Sequence, residues 1–382
     1  MRVALDATPL LGNRTGVAAF CLGALSGLGA REDLDVGAYA VSWRRRGAIV
    51  GQLPGGVEAV GRPMPARPLQ ASWRRGSLPP AEWLLGGRDV IHGTNFVVPP
   101  ARRAARVVTV HDLTALKFPQ MCEPASLRFP DLVRRAVARG AWVHTPSEWV
   151  AGEVVEWLGV DPRRVRAVHH GAGALAGAGG AGGAGVQGPL TEASTGFIPE
   201  GRYVLALGTV EPRKDLVGLV RAFEQLAGER PDVSLVIAGA DGWGAQALDA
   251  AVRESPFLRR VIRLGYVSRS HRDVLVAGAA VLAYPSVYEG FGLPPLEAMT
   301  QGVPVVATRA GALVEVLGDG AELVAVGDEP GLAGAIAHLL DDPDAATALG
   351  ARGRLRAEQF TWERCAEGLA RLYRDALAER QG

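Results

Sequence analysis

The stretch that decides the fold class is VLAYPSVYEGFGLPPLEAMT, residues 281–300. Its first four residues, Val281–Tyr284, have the apolar character of a buried strand, and a loop rich in glycine and proline follows. The residues from Pro295 to Thr300 predict a helix. Strand, loop and helix in this order form a βα unit, and such units build parallel sheets. The stretch therefore predicts an α/β protein whose functional side chains lie in the loops after strands.

The same rhythm recurs along the chain and predicts two Rossmann-like domains, each with a doubly wound parallel sheet, that face a cleft. Strands are predicted at residues 3–7, 36–41, 90–92, 107–110, 142–145 and 165–168, and then at 203–207, 234–238, 261–264, 281–284, 303–307 and 322–324. Helices are predicted at 16–28, 125–139, 148–158, 216–226, 245–253, 272–277, 295–300 and 332–340, and from 361 to about 378.

The boundary between the domains is predicted in GAGALAGAGGAGGAGVQG, residues 171–188, because glycine and alanine alone cannot bury a core. We expect an N-terminal domain at 1–185, a C-terminal domain at 189–360 and a terminal helix at 361–382. Thr361 is the expected N-cap of that helix.

Composition places the chain among globular proteins, since 48% of its 382 residues are hydrophobic and 21% are charged. No stretch approaches the roughly 20 apolar residues that span a bilayer, and no leader precedes the first strand, so we expect a cytoplasmic protein. Cys21, Cys122 and Cys365 lack the spacing of a zinc site, and we expect reduced cysteines and no bound metal.

Charge is distributed unevenly between the two halves. Residues 1–185 contain 22 Lys and Arg against 14 Asp and Glu, and residues 186–382 contain 19 against 26. Two segments of the first half, Trp43–Arg46 and Trp73–Arg75, mix tryptophan with arginine as interfacial segments do, and Arg102 with Arg103 adds two more cations. They suggest reversible contact of the N-terminal domain with an anionic membrane. The alternative is solvated arginines beside packed tryptophans.

The loop GTVEPRKD, residues 208–215, follows a predicted strand and brings two adjacent cations, Arg213 and Lys214, to the end of the sheet. A guanidinium and an ammonium suit the oxygens of a diphosphate. We expect both side chains on an exposed loop, with Thr209 beside them. An ordinary solvated basic turn is the alternative.

Glu289 and Glu297 stand on either side of the turn Gly290–Pro295. The prolines suit the first turn of a helix, so the backbone N–H groups of Phe291, Gly292 and Leu293 are expected to form an anion site at the helix N-terminus. A carboxylate also accepts two hydrogen bonds from vicinal hydroxyls, which suits Glu297 for a ribose.

In the first half, the predicted strand 107–110 ends at His111 and Asp112. A histidine at this position can bind a substrate hydroxyl, with Asp112 as its orienting partner, although a structural histidine is the alternative. Gly16 follows the first strand in a glycine turn whose amide can approach a phosphate, and packing is an equal explanation.

Together these residues resemble the family 4 retaining glycosyltransferases, which have the GT-B fold, and most closely the bacterial mannosyltransferases that use GDP-mannose. The resemblance is carried by the Gly16 turn, HDL at 111–113, TPSEW at 145–149, GTVEPRKD at 208–215, Glu289 with Glu297, and FTWE at 360–363. It implies that the N-terminal domain binds the acceptor, that the C-terminal domain binds the donor, and that the terminal helix crosses back to the first domain.

The resemblance also implies roles for the candidate residues. Arg213 and Lys214 would hold the donor diphosphate, Glu289 would contact the donor sugar, and His111 would lie beside that sugar. The remaining donor-binding candidates are Gly16, Thr209, Phe291, Gly292, Leu293 and, at the ribose, Glu297.

The expected reaction moves a hexose, with mannose preferred, from GDP-mannose or a UDP-sugar to a hydroxyl of a glycan, a lipid-linked acceptor or a small molecule, as in polysaccharide biosynthesis. We expect no cofactor and no metal, because Arg213, Lys214 and the helix dipole can stabilise the departing diphosphate. A GT-B nucleotide-sugar epimerase and a non-catalytic sugar-nucleotide sensor are the alternatives. An NAD-dependent oxidoreductase is disfavoured because no G-x-G-x-x-G follows the first strand, and no recognised nucleic-acid-binding module is present.

Overall fold

The computed structural model of this chain describes residues 1–12, 16–173 and 201–381. The chain divides into two compact units. Of the described residues, the first unit contains those up to 171 and those from 360 onward, and the second contains 172–173 and 201–359. Most of the predicted Gly/Ala connection at 171–188 lies outside the described residues.

In the described part of the first unit, seven parallel strands form one sheet in the order β3-β2-β1-β4-β5-β6-β7. The strands are β1 (Arg2–Asp6), β2 (Asp35–Tyr39), β3 (Val57–Ala59), β4 (Val90–Gly93), β5 (Ala105–Thr109), β6 (Trp142–Thr145) and β7 (Val165–Ala167). The helices are α1 (Gly16–Gly29), α2 (Ala66–Arg75), α3 (Glu82–Leu85), α4 (Thr114–Lys117), α5 (Phe129–Ala138) and α6 (Glu148–Leu158), with the terminal helix described below.

Side chains that alternate along the first sheet enter two separate cores. Leu5 and Val107 pack on one face, and Ala4 and Val108 pack on the other. A parallel sheet covered on both faces buries almost every residue of its central strands, which explains their continuous apolar runs.

In the described part of the second unit, six parallel strands form a sheet in the order β10-β9-β8-β11-β12-β13. The strands are β8 (Arg202–Leu207), β9 (Val233–Ala238), β10 (Val261–Gly265), β11 (Val281–Tyr284), β12 (Val305–Thr308) and β13 (Glu322–Val324). The helices are α7 (Leu216–Ala227), α8 (Ala245–Glu254), α9 (Arg269–Ala277), α10 (Leu293–Thr300), α11 (Leu313–Leu317), α12 (Glu329–Asp341) and α13 (Pro343–Ala357).

The last helix, α14 (Trp362–Gln381), packs on α1 in the first unit. Thr361 accepts a hydrogen bond from the backbone N–H of Arg364 at 3.2 Å, as expected of its N-cap. Trp362 lies on two glycines of α1 spaced one helical turn apart, with its indole on Gly23 and its backbone on Gly27. A Cβ at Gly23 would stand 2.3 Å from that ring, and a Cβ at Gly27 would stand 2.6 Å from the Trp362 carbonyl oxygen. Only glycines permit this close approach.

The structure confirms the predicted fold class, two α/β units with doubly wound parallel sheets. One strand, β3, and five helices were not predicted from the sequence: α2, α3, α4, α11 and α13. The predicted helix 125–139 is divided into a short 3-10 turn at Ser126–Arg128 and helix α5. Across the ranges that the structure describes, each helix is too short or too polar to span a membrane.

Gly23→Ala is expected to lower the free energy of unfolding by about 1 to 3 kcal/mol, because its methyl group must displace a buried, rigid indole. Gly152→Ala in α6 is the matched control, since a Cβ there meets nothing within 4 Å. Removal of a helical glycine without a clash should raise stability by up to about 1 kcal/mol. Urea denaturation of both variants measures the difference, and equal stabilities would contradict the proposed packing.

Candidate active site

The candidate residues of the second unit follow two neighbouring strands. Strand β8 leads into the loop 208–215, and β11 leads into the loop 285–292. The two strands pair directly, with Val281 opposite Val204. The chain order reverses between β8 and β11 in this sheet, which makes the ends of these strands the switch point where open α/β sheets bind ligands.

One carboxylate oxygen joins the two loops. Oε1 of Glu289 accepts a hydrogen bond from Nζ of Lys214 at 2.6 Å and lies 2.8 Å from Nη1 of Arg213. Lys214 also donates to the hydroxyl of Tyr284, and Nε of Arg213 donates to Glu211 at 3.1 Å. We call Arg213, Lys214 and Glu289 the ion triad.

Lys214 and Glu289 are buried and Arg213 is half-buried, which corrects the expectation of an exposed loop. Lys214 is 7% exposed and Glu289 is 6% exposed. Burial lowers the pKa of Lys214, and the charge of Glu289 opposes that effect. Burial would raise the pKa of Glu289, but the charges of Arg213 and Lys214 outweigh it and lower that pKa to about 2. The carboxylate is therefore ionised at neutral pH.

Backbone hydrogen bonds hold both loops in place. The N–H of Val287 donates to the carbonyl of Arg213 at 2.7 Å, and the N–H of Ala312 donates to the carbonyl of Glu289 at 2.9 Å. Gly292, with φ of 101°, is the N-cap of α10, and Leu293 begins that helix. Phe291 is buried beside them. These residues lie where the sequence predicts an anion site.

Glu297 lies in α10 and forms an ion pair with Arg272 of α9. The sequence analysis did not foresee this partner. Thr209 is half-buried directly after Gly208, on the loop that contains Arg213 and Lys214. The structure thus brings Thr209, Arg213, Lys214 and Glu289 to one edge of the second sheet.

In the first unit, His111 follows β5 and its Nε2 hydrogen-bonds the carbonyl of Thr94 at 2.8 Å. Burial lowers the pKa of His111, so its imidazole is neutral at pH 7. Asp112 does not hydrogen-bond His111, contrary to expectation. Its Oδ1 instead accepts from the N–H of Thr114 at 2.9 Å and from the hydroxyl of Thr114 at 2.7 Å, which forms a turn directly before α4. Gly16 is exposed at the start of α1.

The sequence analysis missed Asp6, which ends β1 at the switch point of the first sheet, between β1 and β4. Burial raises the pKa of Asp6 to about 6, although hydrogen bonds from Thr8 oppose the shift. Thr94, at the end of β4, donates to the Asp6 carbonyl at 2.6 Å. A polar residue at the end of an apolar run is the sequence signal that could have identified Asp6. The same signal identified His111.

The structure corrects part of the predicted membrane surface. Trp73 is 7% exposed, and its Nε1 donates to the carbonyl of Pro79 at 3.0 Å, so it is a core residue. Trp43 is 62% exposed, and Trp83 is also exposed, with the guanidinium of Arg102 5.8 Å from the centre of its ring.

The described residues contain no group of three His, Cys, Asp or Glu side chains that could hold a metal. Asp-x-Asp sequences, which hold metals in some transferases, occur at 33–35 and 342–344. Their aspartates have structural partners. Asp33 pairs with Arg31 at 3.0 Å and with Arg374 at 2.6 Å, and Asp342 caps α13 through the N–H of Ala345 at 2.9 Å.

Two doubly wound units in one chain, with a cation pair and a helix N-terminus at the switch point of the second sheet, have the architecture of the GT-B class. The family described as "Glycosyltransferase Family 4" matches residues 16–172, and "Glycosyl transferases group 1" matches residues 190–356.

Curated relatives agree. O-antigen chain mannosyltransferase B of Escherichia coli is 29% identical over 287 residues, which are 75% of this chain and 74% of that protein. D-inositol 3-phosphate glycosyltransferase of Kineococcus radiotolerans is 34% identical over 323 residues, 78% of this chain and 71% of that protein. MMP alpha-(1->4)-mannosyltransferase of Mycolicibacterium hassiacum is 47% identical, but only over 27% of this chain and 26% of that protein. The chain therefore belongs to the family 4 glycosyltransferases.

Solved structures share the fold. Sucrose-phosphate synthase from Thermosynechococcus elongatus superposes with a TM-score of 0.75 at 20% identity, over 99% of this chain and all of that one. Anabaena HepE in complex with UDP-glucose superposes with a TM-score of 0.71 at 18% identity, over 97% of this chain and 98% of that one.

Glu289→Gln is expected to lower the free energy of unfolding by about 3 to 5 kcal/mol, because it leaves the buried ammonium of Lys214 without a counter-charge, while Arg213 keeps only Glu211. Glu367→Gln is the control, since Glu367 pairs with Arg371 on an exposed helical face and such a pair contributes less than about 1 kcal/mol. Urea denaturation measures both. The double variant Lys214→Met/Glu289→Gln should recover part of the loss because the charges balance again.

The effect should be the same at pH 5.5 and pH 7. The folded-state pKa of Glu289 is about 2, below its ordinary 4.5, so its stabilising charge is complete above about pH 4.5 and is lost only as the pH falls toward 2. Equal small losses for Glu289→Gln and Glu367→Gln would contradict the buried triad.

Proposed function

We propose that this glycosyltransferase moves a hexose, with mannose as the first choice, from a nucleoside diphosphate sugar to an acceptor hydroxyl with retention of anomeric configuration. The donor is GDP-mannose or a UDP-sugar, and the acceptor is a glycan, a lipid-linked sugar or a small molecule. No cofactor and no metal take part beyond the donor itself.

The ion triad is the observation that carries the proposal. An ammonium has three N–H donors, and Lys214 uses two of them for Glu289 and Tyr284. The third can be offered to a phosphate oxygen. The partners of Lys214 hold its ammonium in position before the donor arrives, so little reorganisation is needed as negative charge develops.

The proposed step breaks the bond between the anomeric carbon and the phosphate oxygen, and the electron pair leaves with the diphosphate. The acceptor oxygen forms the new bond on the same face of the sugar, and its proton passes to the departing phosphate. Lys214, Arg213 and the N-terminus of α10 stabilise the leaving group. Glu289, fixed by both cations, contacts the donor sugar, while Glu297 exchanges Arg272 for the ribose hydroxyls.

Relatives support the choice of donor and acceptor. Two of those described above are named as mannosyltransferases, which favours mannose. One is named for D-inositol 3-phosphate, a small anionic molecule, and the structural neighbour HepE binds UDP-glucose. We therefore propose a hydroxyl of a glycan as the preferred acceptor of mannose. A hydroxyl of a small anionic molecule is the second choice.

Contact with an anionic membrane remains part of the proposal, restricted to the exposed Trp43 and Trp83 with their neighbouring arginines. Each basic residue near such a surface adds roughly 1 kcal/mol, and added salt screens the attraction. Co-sedimentation with anionic vesicles should therefore occur at low salt and decline at high salt. Failure to sediment with them at low salt would restrict the acceptors to water-soluble ones.

The test of the proposed function is a panel of nucleotide sugars with glycan and inositol phosphate acceptors, read by mass spectrometry and by acceptor-dependent release of nucleoside diphosphate. GDP-mannose should give product. NMR should show that the new glycosidic bond in this product has the anomeric configuration of the donor. Removal of metal ions with EDTA should leave the rate unchanged. Lys214→Met should lower kcat by about 10² to 10³, as loss of one transition-state donor does.

Lys117→Met is the matched control, because Lys117 also pairs with a buried glutamate, Glu153, but lies in the first unit. If the loss in Lys214→Met came from stability alone, both variants would lose turnover to a similar degree. Conversion of the nucleotide sugar without any acceptor would contradict a transferase and favour an epimerase.

A further inference from the structure

The first unit contains a cavity on the face of the sheet that α2 and α5 cover. Its volume is about 100 Å³, and its lining comes from α2, from the segment after β4, from β5 and from α5. The walls are mainly apolar, with Val98, Phe129, Leu132 and Ala136 among them. All lining residues belong to the first unit, whereas the ion triad belongs to the second.

A buried guanidinium lies among these apolar side chains. Arg106 of β5 is 4% exposed, and one of its terminal nitrogens donates to the carbonyl of Arg139. Its Nε is also buried and makes no hydrogen bond with any residue that the structure describes. Burial, together with the charges of Arg380 and Arg139, lowers the pKa of Arg106 to about 10. A buried cation in this state is costly unless an anion compensates it.

The nearby carboxylate of Glu82 uses one oxygen for backbone hydrogen bonds, and its Oε2 is buried without a hydrogen bond. The charge of Glu82 raises the pKa of Arg106, but its effect is smaller than those of burial, Arg380 and Arg139. Oε1 of Glu82 accepts hydrogen bonds from the backbone N–H groups of Arg102 at 2.8 Å and Arg103 at 2.7 Å, which hold the segment before β5. Within residues 1–12, 16–173 and 201–381, no carboxylate pairs with Arg106 at ion-pair distance.

Two more cations lie at the open side of the cavity. Arg128 and Arg135 line it and are exposed to solvent. The ion pairs of the described residues do not include either side chain; on α5, it is Arg134 that pairs with an acid, Asp131. An approaching anion therefore meets positive charge at the entrance and again at the buried end, with apolar walls between.

We propose that this cavity binds a small organic carboxylate with an apolar body of about six carbons, as an effector site separate from the donor site. The carboxylate accepts hydrogen bonds from Arg106, and the apolar body packs between Val98 and Phe129. The enclosed space of about 100 Å³ is smaller than the roughly 150 Å³ that accommodates benzene, so the outer part of the ligand would occupy the open side of the cavity between Arg128 and Arg135. A bidentate guanidinium–carboxylate contact provides the selectivity.

Benzoate is the probe, and isothermal titration calorimetry on the full chain is the measurement. Benzoate should bind at least tenfold more tightly than benzyl alcohol, which has the ring without the charge, and than acetate, which has the charge without the ring. Arg106→Met and Ala136→Leu should each weaken benzoate binding at least tenfold, the first by removing the cation and the second by filling the cavity. Arg102→Met, an exposed arginine of the same unit, should leave binding unchanged.

Stability separates a binding site from a structural role. Arg106→Met should unfold at the same urea concentration as the unaltered protein or a higher one, because it removes an uncompensated buried charge. Benzoate should raise the melting temperature of the unaltered protein and not that of Arg106→Met. The proposal is overturned if benzoate does not bind, if Arg106→Met binds it equally, or if Arg106→Met unfolds at a lower urea concentration and shows that the guanidinium serves Glu82 instead.

Discussion

The second unit depends on one shared carboxylate oxygen. Glu289 is 75 residues from Lys214 in sequence, yet a single atom, Oε1, contacts both Lys214 and Arg213. This arrangement places two cations at the end of a sheet with little exposure, because Glu289 contacts both and Glu211 also pairs with Arg213. The ion pairs consequently couple the loops after β8 and β11. Substitution of a charged residue in either loop alters the electrostatic environment of the charged side chains in the other.

Close backbone packing makes this arrangement possible. A Cβ at Gly239 would stand 1.8 Å from the Gly208 carbonyl oxygen, so the ends of β8 and β9 can approach only through glycine. At Gly208 itself, a Cβ would stand 3.4 Å from Cε of Lys214. The lysine stem therefore passes directly over the backbone of its own loop to reach Glu289. Small residues at the strand ends are as necessary to the triad as its charges.

The sequence alone predicts the bounds of a strand or helix correctly where the pattern that marks it is local. The strand at 281–284 and the helix at 148–158 have the predicted bounds because continuous apolar runs and helical periodicity mark them. Helix α13 was missed because it buries Gly350 and Gly353 rather than an apolar stripe, and β3 was missed because it is a short, mostly exposed edge strand. The partners of Glu289 and Glu297 could not be predicted, since each comes from a different βα unit and depends on strand order.

Helix α14 has a consequence for how the protein is made. The second unit is continuous in sequence from 201 to 359, whereas the first unit lacks one wall of its core until α14 has been synthesised. Translation adds about 5 to 20 residues per second, so the roughly 200 residues between the two parts of the first unit take on the order of 10 to 40 s. Throughout that interval the glycine face of α1 has no indole to cover it. The nascent first unit therefore exposes this face until α14 has been made, and its core is completed after that of the second unit.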